Sequence, residues 1–266
     1  MTSTIANTRT TMLTALVASA KRQTERRRGL RSEAELVRAA ATAAPPRDFA
    51  AALRRPGLSI IAELKQRSPS KGALTRSYPL TDLARSYTDG GAAVISVLTH
   101  EEGFGGSPDH LRRVRAKTNL PLLRKDFLTD KYQILEARVL GADAVLLIAA
   151  VLSPEQLTTL LAFTRELGME ALVEVHSESE VEVALASGAY IVGVNHRDLH
   201  TFGIDMNRTE QLRGCVGKDR LLVGESGVRS QKDARRLRET GADAALVGEA
   251  LMRSSSPEVM VKELSL

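Results

Sequence analysis

Tryptophan is absent from these 266 residues, and aromatic side chains of all kinds make up 3% of them. Proteins that bind single-stranded nucleic acid stack bases on aromatic rings, so this scarcity argues against that class. The one cysteine, Cys215, excludes an intramolecular disulfide framework and any multi-cysteine metal site. No apolar run approaches the roughly 18 residues of a membrane span. No carboxylate–histidine cluster has metal-ligand spacing, and no Gly-x-Gly-x-x-Gly turn follows the first strand-like run. What is there is an ordinary globular composition, 43% hydrophobic, with a formal charge of +5 that favours an anionic partner. The balance points to a soluble cytoplasmic protein of one large or two small domains.

Residues 12–20 form a short apolar stretch after Arg9 that has some likeness to a secretory signal. Thr14 interrupts it, however, and Lys21-Arg22 and Arg26-Arg27-Arg28 follow at once. Leu13, Leu16, Val17 and Ala20 stand at i, i+3, i+4 and i+7, so the stretch reads as a helix packed on the main body. The basic cluster reads as a solvated helical face rather than a nucleic-acid patch. Pro45-Pro46 then breaks the helical pattern, and residues 48–53 restart it for about a turn.

From residue 58 the chain alternates. Apolar strand-like runs occur at 58–64, 92–98, 120–123, 142–148, 171–175, 189–194, 221–223 and 244–247, with amphipathic segments between them. Several of those segments open on a capping serine: Ser107, Ser153 and Ser177. A phrase recurs: Gly91-Ala92-Ala93, Gly141-Ala142-Asp143, Gly188-Ala189-Tyr190 and Gly241-Ala242-Asp243 each close a helix and lead into a strand, about two βα units apart. The runs lack polar alternation, as strands covered by helices on both faces do. Together these features predict an α/β fold, a (β/α)8 TIM barrel over 58–266 with an N-terminal helical extension, 1–57, packed on it as one domain. A doubly wound open sheet is the alternative, less favoured without the glycine turn.

Residues 60–72 organise the rest. An apolar run ends in Glu63 and Lys65, which alternation puts on the same side of a strand. Inside a barrel that side is costly for charge; on a surface strand the same two residues make an ordinary ion pair. The other strand ends carry Thr99, Lys125-Asp126, Glu174 with His176, Asn195 with Arg197, Glu225-Ser226 and Gly248-Glu249, and only the fourth ends apolar. In such barrels chemistry collects at these ends. Lys125 and Lys65 suit proton donation or electrostatic clamping, and Glu174 and Glu63 suit base or charge-stabilising roles. His176, two residues beyond Glu174, is a weaker candidate for the same work, and more often such a histidine caps the following helix. Gly224-Glu225-Ser226-Gly227 and Gly248-Glu249 can offer backbone N–H groups to a phosphate, or can be plain βα turns.

Residues 61–72, Ile-Ala-Glu-Leu-Lys-Gln-Arg-Ser-Pro-Ser-Lys-Gly, resemble the signature of the indole-3-glycerol-phosphate synthase family, lyases that close the indole ring in tryptophan biosynthesis. The likeness continues in order through Ser96-Val97-Leu98-Thr99, Phe104-Gly105-Gly106-Ser107, residues 123–127, Leu172-Val173-Glu174-Val175-His176, residues 193–199 and Gly224-Glu225-Ser226-Gly227. It implies a small sugar-phosphate substrate, 1-(2-carboxyphenylamino)-1-deoxyribulose 5-phosphate, with no cofactor, no nucleic acid and no membrane. By the family pattern Lys125 is the general acid, Glu174 the acid–base partner in dehydration, Lys65 the anion partner and Glu63 the carboxylate that orients it. Ser68, Asn195, Glu225 and Ser226 match substrate-orienting polar positions, and Arg197 a carboxylate contact. Phe104 and Phe127 match the apolar wall, and Gly227, Gly248 and Glu249 the phosphate end. Two residues depart from the pattern: Gln66 stands where lysine or arginine is usual, and His196 where asparagine or alanine is, both read as neighbours of the site.

Three other readings compete. Phosphoribosylanthranilate isomerase shares the phosphate end but leans on a cysteine–aspartate pair, which Cys215, in a late helical segment, does not supply. A scaffold without activity has no need of Glu63, Lys65, Lys125 and Glu174. A nucleic-acid binder using residues 26–28 lacks aromatic interleaving.

Overall fold

The computed structural model describes residues 3–69, 71–75, 77–198 and 201–266, with side chains from Met12 onward. Ser70 and Leu199 of the motifs above lie outside the described residues. Three helices precede the first barrel strand: α1 (Ser3–Leu30), α2 (Glu33–Thr42) and α3 (Phe49–Leu53). A capping box starts α2: the Ser32 hydroxyl accepts from the Glu35 N–H while the Glu35 carboxylate accepts from the Ser32 N–H. Buried Leu36 and Ala40 lay this helix against Tyr132 and Leu135. Asp48 caps α3 through the Ala51 N–H, which confirms the brief helical restart.

The alternation that follows is regular. After β1 (Ser59–Leu64) comes a small antiparallel hairpin, β2 (Arg67–Ser68) with β3 (Gly72–Ala73). Then come α4 (Leu80–Asp89), β4 (Val94–Leu98), α5 (Pro108–Arg115), β5 (Leu122–Lys125), α6 (Lys131–Val139) and β6 (Ala144–Ile148). The second half holds α7 (Pro154–Glu166), β7 (Glu170–Val175), α8 (Glu178–Ala186), β8 (Ile191–Asn195), α9 (Arg208–Val216) and β9 (Leu221–Glu225). It closes with α10 (Gln231–Glu239), β10 (Ala244–Val247), α11 (Glu249–Arg253) and α12 (Pro257–Leu264). Strand β1 and strands β4 to β10 pair in parallel in sequence order, and β10 bonds back to β1 through Ser59↔Ala244 and Ala62↔Val247. This is the expected (β/α)8 barrel.

Two strands run two residues past the expected end, and β8 runs one past it to Asn195. The runs 120–123 and 221–223 stop where charge begins, yet the ladder runs on to Lys125 and Glu225, through Leu98↔Lys125 and Asn195↔Glu225. Pairing is made by the backbone and does not stop at the first charged side chain. Inside the barrel, Ile61, Val94, Leu123, Leu172, Ile191, Leu221 and Ala244 pack with Phe49 and Leu53, so α3 plugs the N-terminal end. Outside, Ile60, Ala62, Ile95, Val97, Val145 and Val173 meet the helices.

The recurring glycine phrase serves every second strand. Gly91, Gly141, Gly188 and Gly241 have φ of 86°, 88°, 89° and 87°, and the following alanine N–H returns to the helix, as in Ala92 N to Tyr87 O at 3.0 Å. A left-handed residue followed by this backward bond ends a helix and releases the chain toward the sheet. Ser107, Ser153 and Ser177 cap their helices as expected. Among the described residues no helix is long and apolar enough to cross a membrane.

Candidate active site

Alternate barrel strands send inward side chains into shared layers. At the C-terminal end one such set is Glu63 of β1, Lys125 of β5, Glu174 of β7 and Glu225 of β9. Each lies two positions beyond an interior apolar residue, Ile61, Leu123, Leu172 or Val223, and so points the same way. The three carboxylates are 2%, 3% and 1% exposed, so this is a buried charge cluster and not a surface ion pair. The Lys125 ammonium donates to Glu174 Oε2 at 3.2 Å and lies 3.4 Å from Glu225 Oε2. Lys65 Nζ lies 2.5 Å from Glu63 Oε1. Asn195 Nδ2 donates to Glu174 Oε1 at 3.1 Å.

Two glycines make the room. A Cβ at Gly193 of β8 would collide with Glu225 Oε1, and one at Gly248 with Glu63 Oε1 and Lys65 Nζ. Crowding like charges into a dry layer separates their protonation. Burial opposes the charge on Lys125, but Glu174, Glu225 and Glu63 outweigh it and hold the ammonium well above its usual range. For Glu174 burial is outweighed by Lys125, His176 and the Asn195 amide, so its carboxyl is held below the usual range. Burial pushes Glu225 up to about 7; Lys125 offsets part of this, while Glu174 and Glu63 add to it. Two buried glutamates on one lysine are thus shifted in opposite directions.

Over this layer lies one pocket, lined by all fourteen residues that the family resemblance assigns to the site, while Thr99, His176 and Gly224 do not line it. Glu63, Lys65, Lys125, Glu174, Asn195 and Glu225 form the charged floor. Phe104 and Phe127, ring centroids 6.2 Å apart, form an apolar wall. Ser68 reaches the rim from the hairpin, with Arg197, Ser226, Gly227, Gly248 and Glu249 on the rim as well. Ser226 and Gly227 both have left-handed φ, 68° and 95°, and a Cβ at Gly227 would strike Met206. Strands β9 and β10 are neighbours, so the two glycine-bearing turns lie side by side. The Glu249 carboxylate is drawn to Lys71 at 2.5 Å, with Arg253 at 3.5 Å and Arg197 at 3.9 Å. Partial burial raises its pKa, but the Lys71 hydrogen bond and these cations outweigh that and keep it charged.

Other residues at the pocket went unread in the sequence. Met12, Leu13 and Leu16 of α1 roof it. Their i, i+3, i+4 spacing signals an apolar face and is silent on what that face covers. His176 is more than a helix cap: its backbone N–H and Nδ1 engage Glu180, while Nε2 lies 3.4 Å from Glu174 Oε1. Burial disfavours the charged ring, but Glu180 and Glu174 outweigh it and raise its pKa. His196 neighbours the site from the outer side of its strand. Alternation that turns Asn195 inward turns His196 outward, where its nitrogens meet Ser226 O at 2.7 Å and Thr209 Oγ1 at 2.6 Å, fully buried behind the wall. Burial there lowers its pKa, so it stays neutral. Gln66 is exposed on the hairpin approach. Among the described residues no group of three His, Cys, Asp or Glu side chains has metal-binding geometry.

A closed (β/α)8 barrel whose mouth gathers one buried ammonium, two buried glutamates with opposite pKa shifts and an aromatic wall defines a barrel enzyme of acid–base type. Solved structures agree on the fold: 3-hexulose-6-phosphate synthase superposes with a TM-score of 0.62 at 15% identity, over 78% of this chain and 98% of that one. The indole-3-glycerol phosphate synthase family profile matches residues 13–264. Indole-3-glycerol phosphate synthase 2 of Streptomyces coelicolor is 62% identical over 253 residues, 95% of this chain and 98% of the relative. Indole-3-glycerol phosphate synthase of Paenarthrobacter aurescens is 47% identical over 258 residues, 95% of each chain. The chain belongs to the indole-3-glycerol phosphate synthase family.

Proposed function

We propose that this chain converts 1-(2-carboxyphenylamino)-1-deoxyribulose 5-phosphate to indole-3-glycerol phosphate, carbon dioxide and water in tryptophan biosynthesis. The ring carbon bearing the carboxylate attacks the sugar ketone, and the ketone oxygen takes a proton from Lys125. Loss of carbon dioxide returns the bonding pair to the ring. Loss of the new hydroxyl as water, with Glu174 moving the proton, completes the indole. Three carboxylates keep Lys125 protonated, so the proton for the first step is in place, while the same raised pKa makes it a reluctant donor. Glu174 suits the second because it stays ionised and Asn195 fixes one of its oxygens. Glu225, pushed up to about 7, takes up or releases charge at small cost as the substrate's own charge changes.

Binding follows the same division. Lys65, oriented by Glu63, pairs with a substrate anion, and Arg197 with the benzoate carboxylate. Ser68, Asn195, Glu225 and Ser226 orient polar groups. Phe104 and Phe127 flank the aryl ring, and Gly227, Gly248 and the Glu249 backbone receive the phosphate. Holding both reacting carbons in contact is where a rigid pocket contributes most, on the order of several kcal/mol. Residues 1–57 act as an extension of the barrel domain, 58–266, carrying the roof of the site. The protein works in the cytoplasm on a free metabolite, without nucleic acid or membrane.

One observation carries this reading: the Lys125 ammonium sits 3.2 Å from Glu174 and 3.4 Å from Glu225 on the floor of a pocket walled by Phe104 and Phe127. The test is to mix purified protein with the carboxyphenylamino sugar phosphate and follow indole fluorescence. Indole signal with the native chain and its loss in Lys125→Ala is the expected result; no indole from the native chain sinks the reading. The isomerase alternative has no support in the pocket, since Cys215 is exposed on α9.

A further inference from the structure

We infer that His100, held by Asp126, is a positioning residue that sets the aryl-ring wall and with it the preference for an aromatic substrate; this rests on the function proposed above. His100 follows β4 and is fully buried, and it does not line the pocket. Its ring stands behind both phenyl groups of the wall. The centroid distance to Phe127 is 5.2 Å at 80°, and to Phe104 6.1 Å at 71°. Those are edge-to-face arrangements, in which rings resist rotation as well as displacement.

What fixes the histidine ring is Asp126, one residue after Lys125. The imidazole Nδ1 lies 3.4 Å from Asp126 Oδ1, and the same oxygen accepts the Phe127 N–H at 2.9 Å. The other oxygen accepts from Thr99 Oγ1 at 2.6 Å and from Arg124 Nη2 at 3.3 Å. Arg124, wholly buried, continues to Glu136 at 2.8 Å, and Glu136 to Arg27 of α1 at 2.7 Å. One carboxylate therefore ties the end of β4, the end of β5 and the helix that roofs the pocket. The His100 carbonyl also accepts the Gly106 N–H at 2.9 Å, closing the loop that presents Phe104.

A packing role alone would be served better by an apolar ring. Neither His100 ring nitrogen has an aligned hydrogen bond among the described residues: Nδ1 faces Asp126 Oδ1 at 3.4 Å and Nε2 faces no partner, which costs stability. A costly polar ring in a tight site is explained if its orientation matters, and only the nitrogen facing Asp126 supplies orientation. The two functions of the ring can be separated. His100→Phe keeps the bulk and loses the polar contact with Asp126; His100→Asn keeps an N–H on that side and loses the ring.

The experiment measures steady-state kinetics with the carboxyphenylamino sugar phosphate, the affinity of its ketone-reduced analogue, the inhibition constant of inorganic phosphate, and thermal melting. For His100→Phe we expect KM and the analogue's Kd to rise about tenfold, kcat to change less than about threefold, and melting to hold or increase. The phosphate constant should stay within twofold, because phosphate does not touch the wall. His100→Asn should recover part of the lost affinity relative to His100→Ala. A His100→Phe protein with native KM, or one that loses phosphate and analogue affinity equally, overturns the inference. If His100→Phe does not fold, Asp126→Asn, which weakens the same contact from the other side, is read by the same split. Turnover by the native chain reports on the proposed function separately, since the analogue's affinity is measured without turnover.

Discussion

Asp143 at one end of the barrel and Glu225 at the other are both buried carboxylates, and the fold treats the two in opposite ways. At the N-terminal end Asp143 is 3% exposed, and both its oxygens are used: Oδ1 accepts the Arg47 N–H at 2.7 Å, and Oδ2 accepts the Leu122 N–H at 2.7 Å and Arg115 Nη1 at 2.9 Å. At the C-terminal end Glu225 is 1% exposed, and neither oxygen has an aligned hydrogen bond; Glu63 Oε1 has none either. A buried carboxylate with all its partners ties elements together. One left without them stores an electrostatic cost that stability alone would remove, and such sites are where chemistry is done. The lower end holds the ring of strands closed; the upper end holds charge ready for a ligand.

The contrast breaks most sharply in activity. Lys125→Ala and Glu174→Gln should each lower turnover at least about a hundredfold, the scale of acid–base groups. Their folding should be unharmed, and near-native rates in both would remove the proposed chemistry from the mouth.

Asp143→Ala should do the reverse. It strands two backbone N–H groups and a half-buried guanidinium, at a cost of about 2–3 kcal/mol. Arg115 is already pushed down to about 10 by burial, with Asp143 the chief support for its charge. Melting should drop by roughly 5–10 °C while kcat per folded molecule stays native. A loss of kcat without a loss of melting temperature would erase the distinction between the ends.

Gly193→Ala sharpens it from within the mouth. The added Cβ occupies the place of Glu225 Oε1 and presses on Leu172. Glu225 must swing its carboxylate aside into the pocket above, away from its place beside Lys125. We therefore expect kcat to fall about tenfold with a changed pH profile, the ordinary scale of a misplaced charge beside the proton donor. A native pH profile would show that Glu225 has no part in it.

The smallest effect is in the pH dependence of stability. Glu225 is raised to about 7, above the usual carboxyl value, so the folded chain binds this proton more tightly than the unfolded one. Its contribution is fully present below the ordinary carboxyl pKa and is lost as pH climbs to about 7. Glu225→Gln has no such loss. Its melting temperature should therefore gain on the native protein by a few degrees between about pH 4.5 and 7, and hold that gain above. A constant gap across the range would place Glu225 in an ordinary environment.

Much of this was legible beforehand, and the reason is parity. Alternation along a strand is strict, so Glu63 with Lys65, and Asn195 against His196, have their sides decided by counting. Positive-φ glycines and capping serines act within a few residues, so the phrase before every second strand was readable as a helix end. The roof was not. Met12, Leu13 and Leu16 belong to an apolar stripe that would look the same over any hydrophobic neighbour. Asp126 was visible at its strand end, but not its grip on Thr99 and His100, because partners 25 or more residues apart have no local signature.

The sequence by itself determined the strands, their order, the inward side of each and hence which charges share the mouth, since those depend on periodicity and short-range backbone geometry. Only the tertiary structure decided which buried carboxylates find partners, which histidine reaches the site and what α1 covers. Those outcomes depend on where distant atoms meet, and burial turns small differences in that meeting into large differences in charge.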